Sequence, residues 1–158
     1  MKRIIIVIGT FLFIVVLVGC FVFFKDRPKK INKIEDIKSF HYSYTVGNYY
    51  EASVVYELEC KDKCSLKIKR ERVTIEDATV YEVDRELVDE LEDILNKYNV
   101  GHWNGFDKNN RNVLDGNSFT LSIKMDNNEE VYARGYMKWP KNYQEVKKDI
   151  IDLFGQFK

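Results

Sequence analysis

Three cysteines, two histidines and a set of tryptophans and tyrosines are the residues of this 158-residue chain that offer chemistry. Cys60 and Cys64 stand four positions apart across Lys61-Asp62-Lys63. That spacing permits a disulfide, half of a metal site, or two free thiols. A zinc site needs about four ligands. His41 and His102 are the remaining nitrogen donors, and neither has zinc-site spacing, so no metal is assigned. A disulfide closing so short a loop stabilises by about 2 kcal/mol in the chain-entropy account, and it is the expected state if the domain is exported. Acyl transfer needs a nucleophile beside a base, and the chain has no Gly-x-Ser-x-Gly elbow. Asp107, Asn109 and Arg111 begin like a calcium loop, but Arg stands at the third ligand and Asn112 where glycine is needed. Gly-rich phosphate loops are absent. No catalytic residue and no cofactor is assigned, and the balance is against an enzyme.

Aromatic side chains are the stronger signal. Gly101-His102-Trp103-Asn104-Gly105-Phe106 and Gly135-Tyr136-Met137-Lys138-Trp139-Pro140-Lys141-Asn142-Tyr143 both have loop composition. Trp103, Phe106, Tyr136, Trp139 and Tyr143 are therefore the candidate binding residues. Tryptophan and tyrosine offer large contact area at low entropy cost and suit a glycan, peptide or protein partner. The alternative is that the rings fold inward and extend the core. His102 reads as a surface or packing residue.

These loops need elements to hold them. Phe40–Thr45 and Tyr49–Cys60 read as strands around a turn at Gly47-Asn48. With residues 61–63 as a loop, Cys60 faces Cys64, Leu58 faces Leu66, Tyr56 faces Ile68, and Glu57 meets Lys67 on the other face, so one register satisfies both faces. Thr79–Val83 reads as a further strand. Asp84 is placed to cap a helix over Arg85–Tyr98, whose apolar residues recur at helical spacing. Gly101–Asn112 reads as a loop. Phe119–Met125 and Val131–Gly135 form a second hairpin, in which Met125 pairs with Val131, Ile123 with Ala133 and Phe119 with Met137, leaving Gly135 opposite Leu121. Asn142 is placed to cap a last helix with Glu145 three residues on; Val146, Ile150, Leu153, Phe154 and Phe157 form its apolar stripe. The expected fold is α+β: an N-terminal transmembrane helix, then antiparallel β-hairpins with two amphipathic helices packed on one face.

Ile4–Phe24 carries no charge, and 17 of its 21 residues are Ile, Val, Phe or Leu. As a helix it would span about 31 Å, matching the hydrocarbon core of a bilayer. It reads as a membrane anchor over residues 1–24, of two possible kinds. One is an uncleaved transmembrane helix. The other is a lipoprotein signal, since Leu17-Val18-Gly19-Cys20 resembles a lipobox and would make Cys20 the lipidated residue. Phe21–Phe24 prolongs the apolar run past Cys20 and favours the helix. Residues 25–38 read as a charged tether and 39–158 as one globular domain.

The chain has 25 basic and 25 acidic residues, and Lys2 and Arg3 are the only ones of either kind in the first 24. The remainder is therefore near neutral, with no field to gather nucleic acid. The bases after the anchor would by count hold the domain inside the cell. The export-like start and the paired cysteines favour the outside, hence a cell-membrane protein with an extracytoplasmic domain. Trp103-Asn104-Gly105-Phe106, Val113-Leu114-Asp115-Gly116-Asn117-Ser118-Phe119, and Gly135-Tyr136 with Trp139-Pro140 and Asn142-Tyr143 resemble a group of small membrane-anchored or lipoprotein-like proteins of Gram-positive bacteria, a domain of unknown function. The likeness runs from about Asp84 to Phe157. It implies an exported bacterial protein and no particular activity. The expected role is an anchored binding or interaction module; an unrecognised cell-envelope hydrolase using Asp115 or His102, or a structural subunit of a membrane complex, are the alternatives.

Overall fold

The computed structural model describes residues 28–47, 53–70 and 78–157. The anchor, Cys20 and the turn at Asn48 with the residues up to Ala52 lie outside the described residues. Among those described, no helix is long and apolar enough to cross a membrane.

Among the described residues the chain folds as α+β, with seven strands in one mixed sheet and two α-helices. The strands are β1 (Ile37–Thr45), β2 (Val54–Cys60), β3 (Cys64–Arg70), β4 (Thr79–Val83), β5 (Phe106–Asn109), β6 (Ser118–Met125) and β7 (Glu130–Tyr136). The helices are α1 (Arg85–Lys97) and α2 (Tyr143–Phe154), with a 3-10 turn at Val100–Trp103. The sheet order is β4-β3-β2-β1-β6-β7-β5. Both long central strands, β1 and β6, are neighbours although 72 residues separate their ends, Thr45 and Ser118, which pair.

Alternation decides the two faces. Phe40 and Tyr42 of β1, Tyr56 and Leu58 of β2, Leu66 and Ile68 of β3, and Leu121 and Ile123 of β6 point to one side and are buried. Leu87, Val88, Leu91 and Leu95 of α1 and Val146, Ile150 and Phe154 of α2 complete the same core. Phe154 sits with its ring centroid 4.9 Å from Tyr56 and 6.1 Å from Phe40. Ser39, His41 and Ser43 of β1 and Thr120 and Ser122 of β6 occupy the alternate positions, on the opposite face.

The β2–β3 hairpin takes the register that its side chains dictate, with Leu58 opposite Leu66 and Cys60 opposite Cys64. The two sulfurs are joined, and Cys64 is buried while Cys60 is half-buried. Changing both to serine is expected to lower the unfolding free energy by about 2 kcal/mol; urea unfolding of the oxidised chain against the double variant checks it, and equal midpoints would mean the bridge adds nothing.

Four expectations are corrected. The sheet is mixed rather than wholly antiparallel, because β5 runs parallel to β7. The expected loop over 101–112 therefore holds a 3-10 turn and a short edge strand: Asn99 turns left-handed at φ 55° and Gly105 at φ 77°, and these two reversals return the chain to the sheet. In the second hairpin Ile123 pairs with Val131, Leu121 with Ala133 and Phe119 with Gly135, two residues from the expected register. A left-handed Asn128 in the turn, with the Asn128 N–H on the Met125 carbonyl, sets that register. The shift is an even number, so every side chain keeps its face. A β-carbon on Gly135 would lie 2.1 Å from the Lys138 carbonyl oxygen and 2.6 Å from the Phe119 ring, which is why glycine stands opposite that ring. Finally, Asp84 and Asn142 occupy the N-cap positions without a side-chain capping bond. Asn142 is left-handed, φ 61°, and turns the chain into α2 by its backbone.

Residues 28–36, within the expected tether, lie on the domain. Ile31, Ile34 and Ile37 are buried, at 5%, 1% and 1% exposure. The Asn96 side chain accepts the Ile34 N–H at 2.8 Å and donates to the Ile34 carbonyl at 2.7 Å, standing in for a neighbouring strand. Glu92 accepts the Ile37 N–H at 2.9 Å. Burial pushes the Glu92 carboxyl above the usual range, against the opposing pull of that N–H and of Arg85.

A polar clamp joins the helices beyond the core. Asp149 of α2 accepts the Tyr98 hydroxyl at 2.9 Å and the Lys97 ammonium at 3.1 Å. The Tyr98 hydrogen bond, then Lys97, holds its carboxyl below the usual aspartate range. A depressed acid stabilises the fold above its unfolded pKa, and that contribution is lost as pH falls through the lower, folded value. Below about pH 4 the wild-type chain is thus expected to lose stability more steeply than Asp149→Asn. Urea midpoints at several acidic pH values test this; parallel curves would contradict it.

Candidate functional site

Two segments meet at one end of the sheet. The first follows α1: left-handed Asn99 ends the helix, and the 3-10 turn carries His102 outward and Trp103 inward. The second is the β7–α2 connection, where Met137 (φ 49°) and Asn142 (φ 61°) are both left-handed and bracket Trp139-Pro140. Asparagine tolerates that conformation; methionine does so at a cost of order 1–3 kcal/mol. The Met137 N–H donates to the Asn117 carbonyl at 2.9 Å, which fixes the bend.

The segments are tied together. The Trp103 indole N–H donates to the Lys141 carbonyl at 3.1 Å, and the Asn142 amide reaches the Tyr98 carbonyl at 3.5 Å. Phe119 of β6 is the floor of the cluster, with centroids at 4.6 Å from Tyr143, 5.7 Å from Trp139, and 6.2 Å from both Trp103 and Phe106. Trp139 stacks on Tyr143 at 4.6 Å and 18°. Such pairs are worth about 0.5–1.5 kcal/mol each beyond their burial. Behind them the Tyr143 and Tyr42 hydroxyls pair at 3.0 Å inside the core, and burial pushes both phenols well above their usual range.

Between the segments lies a cleft of about 480 Å³. Asn99, His102, Trp103 and Phe106 wall one side with Tyr98, and Trp139, Pro140, Lys141 and Asn142 wall the other. Its size is that of a small-ligand site, apolar with a few polar groups. It has no lining carboxylate, serine, threonine or cysteine, and its tyrosine hydroxyl is committed to Asp149. Binding chemistry is available here, and no pair of carboxylates lines the cleft.

The five candidate binding residues separate into three groups. Trp103, Phe106 and Trp139 line the cleft. Trp103 is only 4% exposed, so it is wall and core at once; Phe106 and Trp139 are half-buried. Tyr143 lies behind the wall at 2% exposure. Tyr136 serves a different loop. Its hydroxyl accepts the Gly116 N–H at 2.7 Å and faces the Val113 and Leu114 carbonyls at 3.1 and 2.6 Å. Sequence reasoning missed Asn99, Lys141 and Asn142 as site residues. The available signal was Asn99 at the end of a helical pattern, where a left-handed turn was to be expected; Asn142 stands at a helix start, where an extended N-cap is the expectation.

His102 is exposed at the cleft, whereas Asp115 is exposed in the 110–117 loop and does not line it. His41 lies on the helix-free face, 3.5 Å from Glu57. Among the described residues no three His, Cys, Asp or Glu side chains converge to hold a metal ion. A second hollow of about 290 Å³ on the helix-free face is crossed by an ion pair between Arg134 and Asp107 at 2.8 Å, and that pairing holds the Asp107 carboxyl below the usual range. No family model matches the chain, and no curated protein matches it.

Proposed function

We propose that the chain is a membrane-anchored, extracytoplasmic binding module whose ligand enters the cleft walled by Trp103, Phe106 and Trp139. The convergence of two separate aromatic segments on that cleft carries this reading. Ile4–Phe24 supplies the anchor, as a transmembrane helix or, through Cys20, as a lipid attachment. The joined Cys60 and Cys64 support an oxidising compartment, because disulfides persist outside the reducing cytosol. The likeness of residues 84–157 to anchored proteins of Gram-positive bacteria supports the same side. The lining favours binding over hydrolysis: no carboxylate, serine, threonine or cysteine lines the cleft with His102.

The chain's two tryptophans are Trp103 and Trp139, so intrinsic indole emission reports on this cleft alone. Full-length protein is titrated with three probes: an N-acetylglucosamine oligomer, a short extended peptide, and glycerol phosphate. A saturable emission change with at least one probe, lost in His102→Ala and Lys141→Ala at unchanged melting temperature, is the expected result. Emission unaltered by all three probes contradicts the assignment of the cleft.

A further inference from the structure

We propose that the cleft lies against the bilayer surface and takes the anionic headgroup of a membrane lipid. The proposal rests on the anchored reading of Ile4–Phe24 and adds to it a direction and a ligand class.

The path of the chain gives the direction. Phe24 ends the apolar run and Pro28 begins the described domain, four positions later. Fully extended, those positions reach at most about 14 Å. Pro28 then packs on Gly105, where a β-carbon would fall 1.9 Å from the proline ring. Next, the Asn104 amide donates to the Lys29 carbonyl at 2.9 Å, and the Ile31 N–H donates to the Gly101 carbonyl at 3.2 Å. The entering segment therefore lies along 101–105, the segment whose His102 and Trp103 wall the cleft. Whatever holds Phe24 in the membrane holds this end of the domain next to it.

The lining gives the ligand class. Lys141 is the one lysine or arginine of the cleft, and no acid lines it. Lys138 is exposed beside Trp139 in the chain. Among the described residues neither lysine is in an ion pair, whereas Lys29, Lys33 and Lys97 are. Unpaired lysines beside indole rings suit the headgroup layer, where tryptophan is enriched and each base gains from anionic lipid. A headgroup is also presented at high effective concentration to a site tethered this closely.

The test uses full-length protein reconstituted in vesicles of phosphatidylcholine, alone or mixed with phosphatidylglycerol. Part of the phosphatidylcholine is brominated near the headgroup end of its acyl chains. Indole emission and flotation are read on the same samples. Bromine is expected to quench the emission, more strongly with phosphatidylglycerol present. Lys138→Gln and Lys141→Gln should each lower the docked-to-undocked ratio roughly fivefold in the anionic vesicles. Among the described residues neither side chain makes a hydrogen bond, so melting should not move. Flotation with identical emission in brominated and plain vesicles overturns the proposal and leaves the anchor standing. A saturable response to soluble glycerol phosphate without quenching also overturns it, in favour of a soluble ligand. Failure to float removes the anchor and this proposal together.

Discussion

Replacing Trp103 by alanine is expected to lower the stability of the domain by about 3–5 kcal/mol, the range for truncating a large buried aromatic. Its ring is 4% exposed and packs on Phe119 and Tyr143. Its indole N–H also satisfies the Lys141 carbonyl, so truncation releases the β7–α2 connection as well as opening a cavity. Trp139→Ala removes a half-buried ring stacked on Tyr143 and is expected to cost about 1–2 kcal/mol, in line with the smaller apolar area re-exposed. Urea unfolding followed by far-ultraviolet circular dichroism separates the two, since neither variant can be followed by its lost indole. Equal losses would mean the two rings are both core, and the cleft would lose its claim on Trp139.

Asn96→Ala is expected to cost about 2–4 kcal/mol, because it orphans both backbone groups of buried Ile34. The Asn96 amide is the only side chain that satisfies both of those groups among the described residues. Asn96→Asp keeps the acceptor for the N–H but sets a carboxylate oxygen against the Ile34 carbonyl, so it should rescue little. The local readout is limited trypsin cleavage after Lys33, expected to accelerate sharply in both variants. An unchanged cleavage rate would mean that Ile31, Ile34 and Ile37 hold this segment by apolar contact alone. The experiment bears on the site too, because the same segment lies along the turn that walls the cleft.

How much of this was legible in the sequence follows from where the information is local. The Cys60–Cys64 hairpin was readable because its two faces are consistent in a single register, and α1 because six apolar residues recur at helical spacing. The core face of β6–β7 was readable too, since a two-residue slip leaves faces unchanged; the register itself depends on one left-handed asparagine in a turn. Parallel pairing of β5 with β7 was not readable. Phe106–Asn109 has four residues, its pairing is held from both ends by Gly105 and Asn110 donating to Tyr132 and Tyr136, and nothing within so short a segment names that partner. The burial of Ile31, Ile34 and Ile37 was masked by charge. Lysines and acids surround Ile31, Ile34 and Ile37, and their three-residue spacing matches neither the two-residue alternation of a strand nor the 3.6-residue period of a helix, so no pattern announced their shared burial. At the site, composition brought the right two segments forward but not the division of labour within them. Trp103 and Tyr143 fold inward because Phe119 offers a floor from a strand far away in sequence, and the hydroxyl of Tyr136 has its partners in the 113–116 loop.

The proposed function requires a domain anchored by Ile4–Phe24 and held outside the cytoplasm. A reporter fused after Lys158 tests that most directly, with alkaline phosphatase active only outside and a fluorescent protein mature only inside. The expected result is an active phosphatase fusion that stays with membranes through a carbonate wash, beside a dark fluorescent fusion. An inactive phosphatase with a bright fluorescent fusion would put the cleft in the cytoplasm and contradict the account.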